Sequence, residues 1–146
     1  MELPPDAIAE FWFSMRKASS LMDRAGDRLF RGGLGIGLTQ YMVLSVVDAR
    51  PGQFNQQSVA QTLGITKAAV SRQIEMALAA GYLTTSVSNY SRRDNLVTLT
   101  PKGTRLVRTG DALLATELQR GFQSTNETDL QAALRALHTL IESIAS

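Results

Sequence analysis

The stretch Gln56-Gln-Ser-Val-Ala60-Gln-Thr-Leu-Gly64-Ile-Thr-Lys-Ala-Ala-Val70-Ser-Arg-Gln-Ile74 constrains this chain more than any other feature. Its small, turning and apolar residues fall where two short helices crossing at a tight turn need them. Ala60 has to be small if the second helix passes close to it. Gly64 allows a turn with positive φ. Val59, Leu63, Ile65, Val70 and Ile74 share the faces that lock the helices together and onto a core. The spacing therefore reads as a helix-turn-helix. It leaves Lys67, Ala68, Ser71, Arg72 and Glu75 on the outward face of the second helix, a face that fits a major groove about 12 Å wide.

The rest of the chain supplies a frame for that motif. Ile8, Phe11, Trp12, Met15, Ala18, Ser19 and Met22 recur at helical spacing and predict a long first helix over 5–30. Gly32, Gly33, Gly35 and Gly37 predict a loop immediately after it. Thr39 is the expected cap of a second, centrally buried helix carrying Tyr41, Met42, Val43, Leu44, Val46 and Val47. Asn55 and Thr66 are the expected caps of the two motif helices, and Gly81 the residue that closes the second. Leu83–Val87 and Leu96–Leu99 read as strands of a hairpin whose basic loop includes Arg92 and Arg93. Thr100-Pro101 opens a fifth helix and a sixth follows Asn126. The expected fold is mainly α with a small β-hairpin wing, a winged helix-turn-helix.

Charge distribution agrees with a polyanion partner. Residues 1–60 hold as many Lys/Arg as Asp/Glu, residues 61–108 carry a net +5, and residues 109–146 a net −3. Lys67 and Arg72 can neutralise phosphates, and Arg72 can instead make a bidentate bond to guanine. Ser71 and Gln73 can hydrogen-bond bases or phosphates. Thr66, Lys67 and Ala68 lie at a helix N-terminus, where free N–H groups favour an anion. Asn55 and Gln56, at the start of the first motif helix, complete that contact set. Arg92 and Arg93 are placed against a neighbouring minor groove. The expected partner is double-stranded DNA.

Several functional classes are excluded or disfavoured. The chain has no cysteine, which removes disulfides, thiolate zinc sites and cysteine redox sensing. His138 is its one histidine, so no metal site and no cofactor is expected. The stretch 32–37 lacks the preceding strand and following Lys-Ser/Thr of a phosphate loop. His138 sits beside Leu134 and Leu137 as a packed or interface residue, so no enzyme is expected. No apolar run approaches the roughly 20 residues of a membrane span. MELPPDAIAE lacks the basic start and apolar block of a signal peptide, so no membrane association and a cytoplasmic location are expected.

Three further stretches carry a resemblance to a known family. Leu38-Thr-Gln-Tyr-Met-Val-Leu44, Ala79-Ala-Gly-Tyr-Leu83 and Asn95-Leu-Val-Thr-Leu-Thr-Pro-Lys-Gly103 resemble the MarR (multiple antibiotic resistance regulator) family. The resemblance implies one MarR-like chain over 1–146. Its winged helix-turn-helix lobe spans 38–100, and 1–31 with 101–146 form a helical dimerisation region. It implies a homodimeric transcription regulator, a repressor of a palindromic operator, relieved by a small phenolic, aromatic or anionic ligand. The family's wing carries Asp-x-Arg. Aligned without gaps from Gly81, Ser91 takes the acid's place and Arg93 the arginine's, while Thr85 and Ser86 stand where relatives often have arginine. Trp12, Met15, Arg16 and Tyr41 are the expected ligand-binding residues, with Phe11, Phe30, Met42 and Lys17 beside them. The alternative reading is a winged-helix protein-interaction module with weak or lost DNA binding.

Overall fold

A computed structural model describes residues 2–87 and 95–145. The described elements are α1 (Pro5–Leu34), α2 (Leu38–Ala49), α3 (Gln56–Leu63), α4 (Lys67–Ala79), β1 (Leu83–Val87), β2 (Asn95–Leu99), α5 (Pro101–Gly121) and α6 (Glu127–Ala145). This is the expected helical chain with one hairpin. The strands pair antiparallel in the register Leu83↔Leu99 to Val87↔Asn95. Phe54, in the α2–α3 connection, adds a bridge to Val97, whose N–H donates to the Phe54 carbonyl at 2.9 Å.

α2 is the centre of the core, as its all-round apolar sequence requires. Its Tyr41, Val43, Leu44 and Val47 are buried with Phe30 of α1, Val59 and Ala60 of α3, Val70, Ile74 and Ala77 of α4, Leu83 and Val97 of the hairpin, and Val107 of α5. α1 enters this cluster only near its C-terminal end, through Phe30, while Ile8, Phe11, Trp12 and Met22 of its predicted stripe are exposed; α6 contributes no buried residue, and the polar faces of α3 and α4 are left outward.

Two local expectations are corrected. α1 does not stop before Arg31; it runs through Gly32 and Gly33 to Leu34 and ends at Gly35, which takes the left-handed conformation at φ 71°. A Cβ at Gly33 would lie 2.7 Å from the end of the Leu113 side chain of α5, and Gly32 has open space around it. Nor does Thr39 cap α2. The helix starts at Leu38 with Gly37 as N-cap, and the Asp27 carboxylate of α1 accepts the Leu38 N–H at 3.1 Å. Asp27 also takes the Arg31 guanidinium at 2.7 Å. The bond from Arg31, with that from Leu38, holds its carboxyl below the usual carboxylate range.

The chain divides into two compact units, one through Leu114 and one from Ala115. The first contains the whole cluster described above. The second consists of the last turns of α5 and all of α6.

Candidate nucleic-acid interface

α3 and α4 are fixed by local hydrogen bonds that their sequences dictate. Asn55 Oδ1 accepts from the Ser58 N–H and Ser58 Oγ accepts from the Asn55 N–H, both at 2.9 Å, which makes a reciprocal capping box. Gly64 adopts φ 68°, and its N–H and that of Ile65 both donate to the Ala60 carbonyl, at 2.9 and 3.2 Å. Ala60 itself is buried. Thr66 Oγ1 accepts from the Ala69 N–H at 3.1 Å and starts α4. The turn is therefore set by side-chain caps and backbone bonds between residues three to five apart.

That geometry sorts the α4 side chains. Val70, Ile74 and Ala77 are buried, whereas Lys67, Ala68, Arg72 and Glu75 are exposed, with Ser71 and Gln73 half-buried beside them. Lys67 and Arg72 form no ion pair with any described residue. The result is one helical face carrying two exposed cations, a short hydroxyl and a small alanine, with the single acid Glu75 beside them. The first-turn N–H groups of α4 lie at the same end as Lys67 and reinforce its positive potential. Asn55 and Thr66 spend a side-chain oxygen each on capping, so both shape the interface. Gln56 is half-buried in the first turn of α3. Arg92 and Arg93, with Ser91, lie outside the described residues; the strands that lead to them are in place.

Not all of the basic middle segment faces outward. Lys102 Nζ donates to the Ala80 carbonyl at 2.8 Å and lies 5.0 Å from the centre of the Tyr82 ring. Thr100 Oγ1 donates to the Gly81 carbonyl at 2.6 Å and accepts from the Gly103 N–H at 3.0 Å. A Cβ at Gly103 would sit 2.1 Å from the Tyr82 carbonyl oxygen, so only glycine permits this approach. These contacts clasp the C-terminal end of α4 to the start of α5. Arg108 is engaged by Asp48 at 2.8 and 3.2 Å and by Asp111 at 3.4 Å. Lys102 and Arg108 are thus committed within the fold, a distinction that net charge could not make.

The residues proposed to meet a ligand are dispersed. Trp12 and Arg16 are exposed on the N-terminal half of α1, with the guanidinium 5.8 Å from the indole centre, and Met15 is half-buried near them. Tyr41 is in the core, its ring stacked on Phe30 at 4.1 Å and its hydroxyl donating to Asp111 at 2.5 Å. Burial, and then the bond to Asp111, push that phenol up to about 12. A groove of about 760 Å³ lies elsewhere, between α1, α2 and the α3–α4 turn. Its walls include Asp23, Arg24 and Arg28 of α1, Leu38 and Met42 of α2, and Ile65 of the turn. Trp12, Met15, Arg16 and Tyr41 do not line it. Sequence reading missed this groove because its walls come from three separated segments. Among the described residues no cluster of three His, Asp or Glu side chains is arranged to hold a metal, and no helix is long and apolar enough to cross a membrane.

Residues 34–94 match the MarR family. No curated protein matches the chain. Among solved structures, a MarR transcriptional regulator from Methanosarcina mazei Go1 is 25% identical with a TM-score of 0.74, covering 88% of this chain and 94% of that one. CouR from Rhodococcus jostii RHA1, bound to p-coumaroyl-CoA, is 19% identical with a TM-score of 0.80, covering 89% and 90%. The transcriptional repressor CouR bound to a 23-mer DNA duplex is 24% identical with a TM-score of 0.78, covering 96% and 99%.

Proposed function

We propose, for a chain whose residues 34–94 match the MarR family and whose fold is that of MarR-family transcription regulators, that it acts as a homodimeric repressor reading a two-fold symmetric operator. The observation that carries the reading is the outward face of α4, where Lys67 and Arg72 stand exposed beside Ser71 on a helix capped at its start and clasped at its end. Arg72 and Ser71 address base edges, and Lys67 a phosphate near the helix N-terminus. Gln56 and Gln73 border the contact, Asn55 and Thr66 hold it in shape, and Arg92 and Arg93 extend it from the wing. The duplex-bound relative supports the use of this fold on DNA.

Dimerisation is supported by the second unit, in which α6 has no buried residue and exposes Leu130, Leu134, Ile141 and Ile144. A helix with that apolar stripe is not stable on its own surface and calls for a partner. The groove beside the α3–α4 turn, lined by Arg24 and Arg28 together with Asp23 and Asp27, is the place where a small anionic or aromatic effector would bias the reading helices. The relative bound to p-coumaroyl-CoA supports ligand control in this fold.

Selection of duplexes from a random pool by the pure protein tests the reading. A palindromic consensus is expected, and Arg72→Ala should weaken binding to it at least tenfold in a gel shift. Failure to retain any duplex would leave a winged-helix interaction module as the better description.

A further inference from the structure

Among the described residues, Gln40 is the one buried polar side chain, at 5% exposure. It lies on α2, and its Nε2 donates to the backbone carbonyl of Gln73 at 3.3 Å. That carbonyl is in the middle of α4, where a helical carbonyl already serves the amide one turn on. Burying a primary amide costs stability that one hydrogen bond offsets only in part. A methionine of similar length would fill the site at lower cost. A glutamine here has to be explained by something other than stability.

The explanation lies in what else holds α4. Its inner face consists of Val70, Ile74 and Ala77 against the core. Such packing is non-directional and tolerates small rotations and slides. The Lys102 and Thr100 clasp fixes only the C-terminal end. The bond from Gln40 is the directional contact at mid-helix, and its acceptor follows Ser71 and Arg72 directly. Its donor is held in turn, because the next residue, Tyr41, is tied to Asp111 of α5. A lone polar residue in an apolar seam is well suited to fixing register.

We propose that Gln40 is a positioning residue for sequence discrimination. Through the Gln73 carbonyl it sets the rotation and axial placement of Ser71, Arg72 and Gln73 relative to the base edges. This rests on the reading of α4 as the DNA-reading helix. Gln40 contributes little to affinity for DNA in general, which depends on charge rather than register.

The test uses the full-length protein, the selected duplex and a scrambled duplex of equal length, with Kd by fluorescence anisotropy. Gln40→Met is expected to melt at or above the wild-type temperature and to bind the scrambled duplex within about twofold of wild type. Its affinity for the selected duplex should fall about tenfold, collapsing the ratio between the two. Gln40→Glu separates the hydrogen bond from packing. A carboxylate cannot donate to the Gln73 carbonyl, whereas a protonated carboxyl can. The groups facing this position are Asp27 and Arg31 of α1, which line a small cavity of about 120 Å³ with Gln40, Gln73 and Met76. They are already paired with each other. Discrimination by Gln40→Glu should be lost at about pH 7.5 and regained at about pH 5, with wild type measured at both. The proposal is overturned if wild type discriminates and Gln40→Met keeps that ratio within twofold. It is also overturned if both duplexes and the melting temperature suffer together, or if Gln40→Glu behaves alike at both pH values. Wild type binding neither duplex would instead remove the DNA reading itself, and this proposal with it.

Discussion

Tyr41 shows how much one residue's neighbours matter to what it can do. Its position in an apolar helix marks it as inward-facing, but sequence does not say whether it meets a cavity or packed side chains. The answer depends on Phe30 and on Asp111, the latter 70 residues away. Asp27 is the same case: its partner Leu38 is 11 positions on, so the cap of α2 cannot be read locally. By contrast Asn55 and Thr66 bond to amides three residues ahead and are legible from spacing alone. The Tyr41 contact makes a prediction about pH. Its folded pKa is raised from 10.0 to about 12, so the protonated phenol is favoured by folding. That stabilisation is fully present below pH 10 and is lost as pH rises from 10 through about 12. Melting temperature should therefore drop across that window in wild type more steeply than in Tyr41→Phe, which keeps the ring and loses the hydroxyl. Equal slopes for the two proteins would show that burial and Asp111 together do not raise this phenol's pKa.

At the scale of elements, helix type and order were legible because each helix has its own periodic stripe and most begin at a local cap. The glycine-rich end of α1 was not. Glycine disfavours helix by about 1 kcal/mol per residue, yet Gly32 and Gly33 remain helical between Phe30, which is buried, and Leu34, which packs against the core. Packing of the helix end outweighs local propensity there, and Gly35 performs the turn. The capping box of α3 is a local device, so its energetics should follow local rules. Asn55→Ala should cost about 1 kcal/mol and Asn55→Gly only a few tenths. In urea, both should shift the unfolding midpoint without changing the slope of free energy on denaturant. An alanine variant as stable as wild type would mean that the box contributes nothing beyond what water supplies. Because α3 packs against α4, Asn55→Ala should also weaken binding to the selected duplex, by less than Arg72→Ala does.

For the whole molecule, the sequence shows a basic middle but not which of its cations are available. The fold commits Lys102 to a carbonyl and Arg108 to two carboxylates, and leaves Lys67 and Arg72 exposed. Each phosphate neutralised on duplex DNA contributes about −0.9 to the slope of log K against log salt. A dimer in which Arg72 reads bases and only Lys67 neutralises phosphate makes about two phosphate contacts and gives a slope of about −1.8. If Arg92 and Arg93 join from both wings, about six contacts give a slope of about −5.4. The Arg92→Ala, Arg93→Ala double variant then measures the wing directly: it returns the slope to about −1.8 if the wing binds phosphates and leaves it unchanged if α4 acts alone. Lys102→Ala is the internal control, since a lysine that holds the Ala80 carbonyl releases no counterion from DNA. It should lower stability and leave the slope where it was. A slope shallower by about 2 in that variant, one contact per protomer, would place Lys102 on the DNA and count against the clasp.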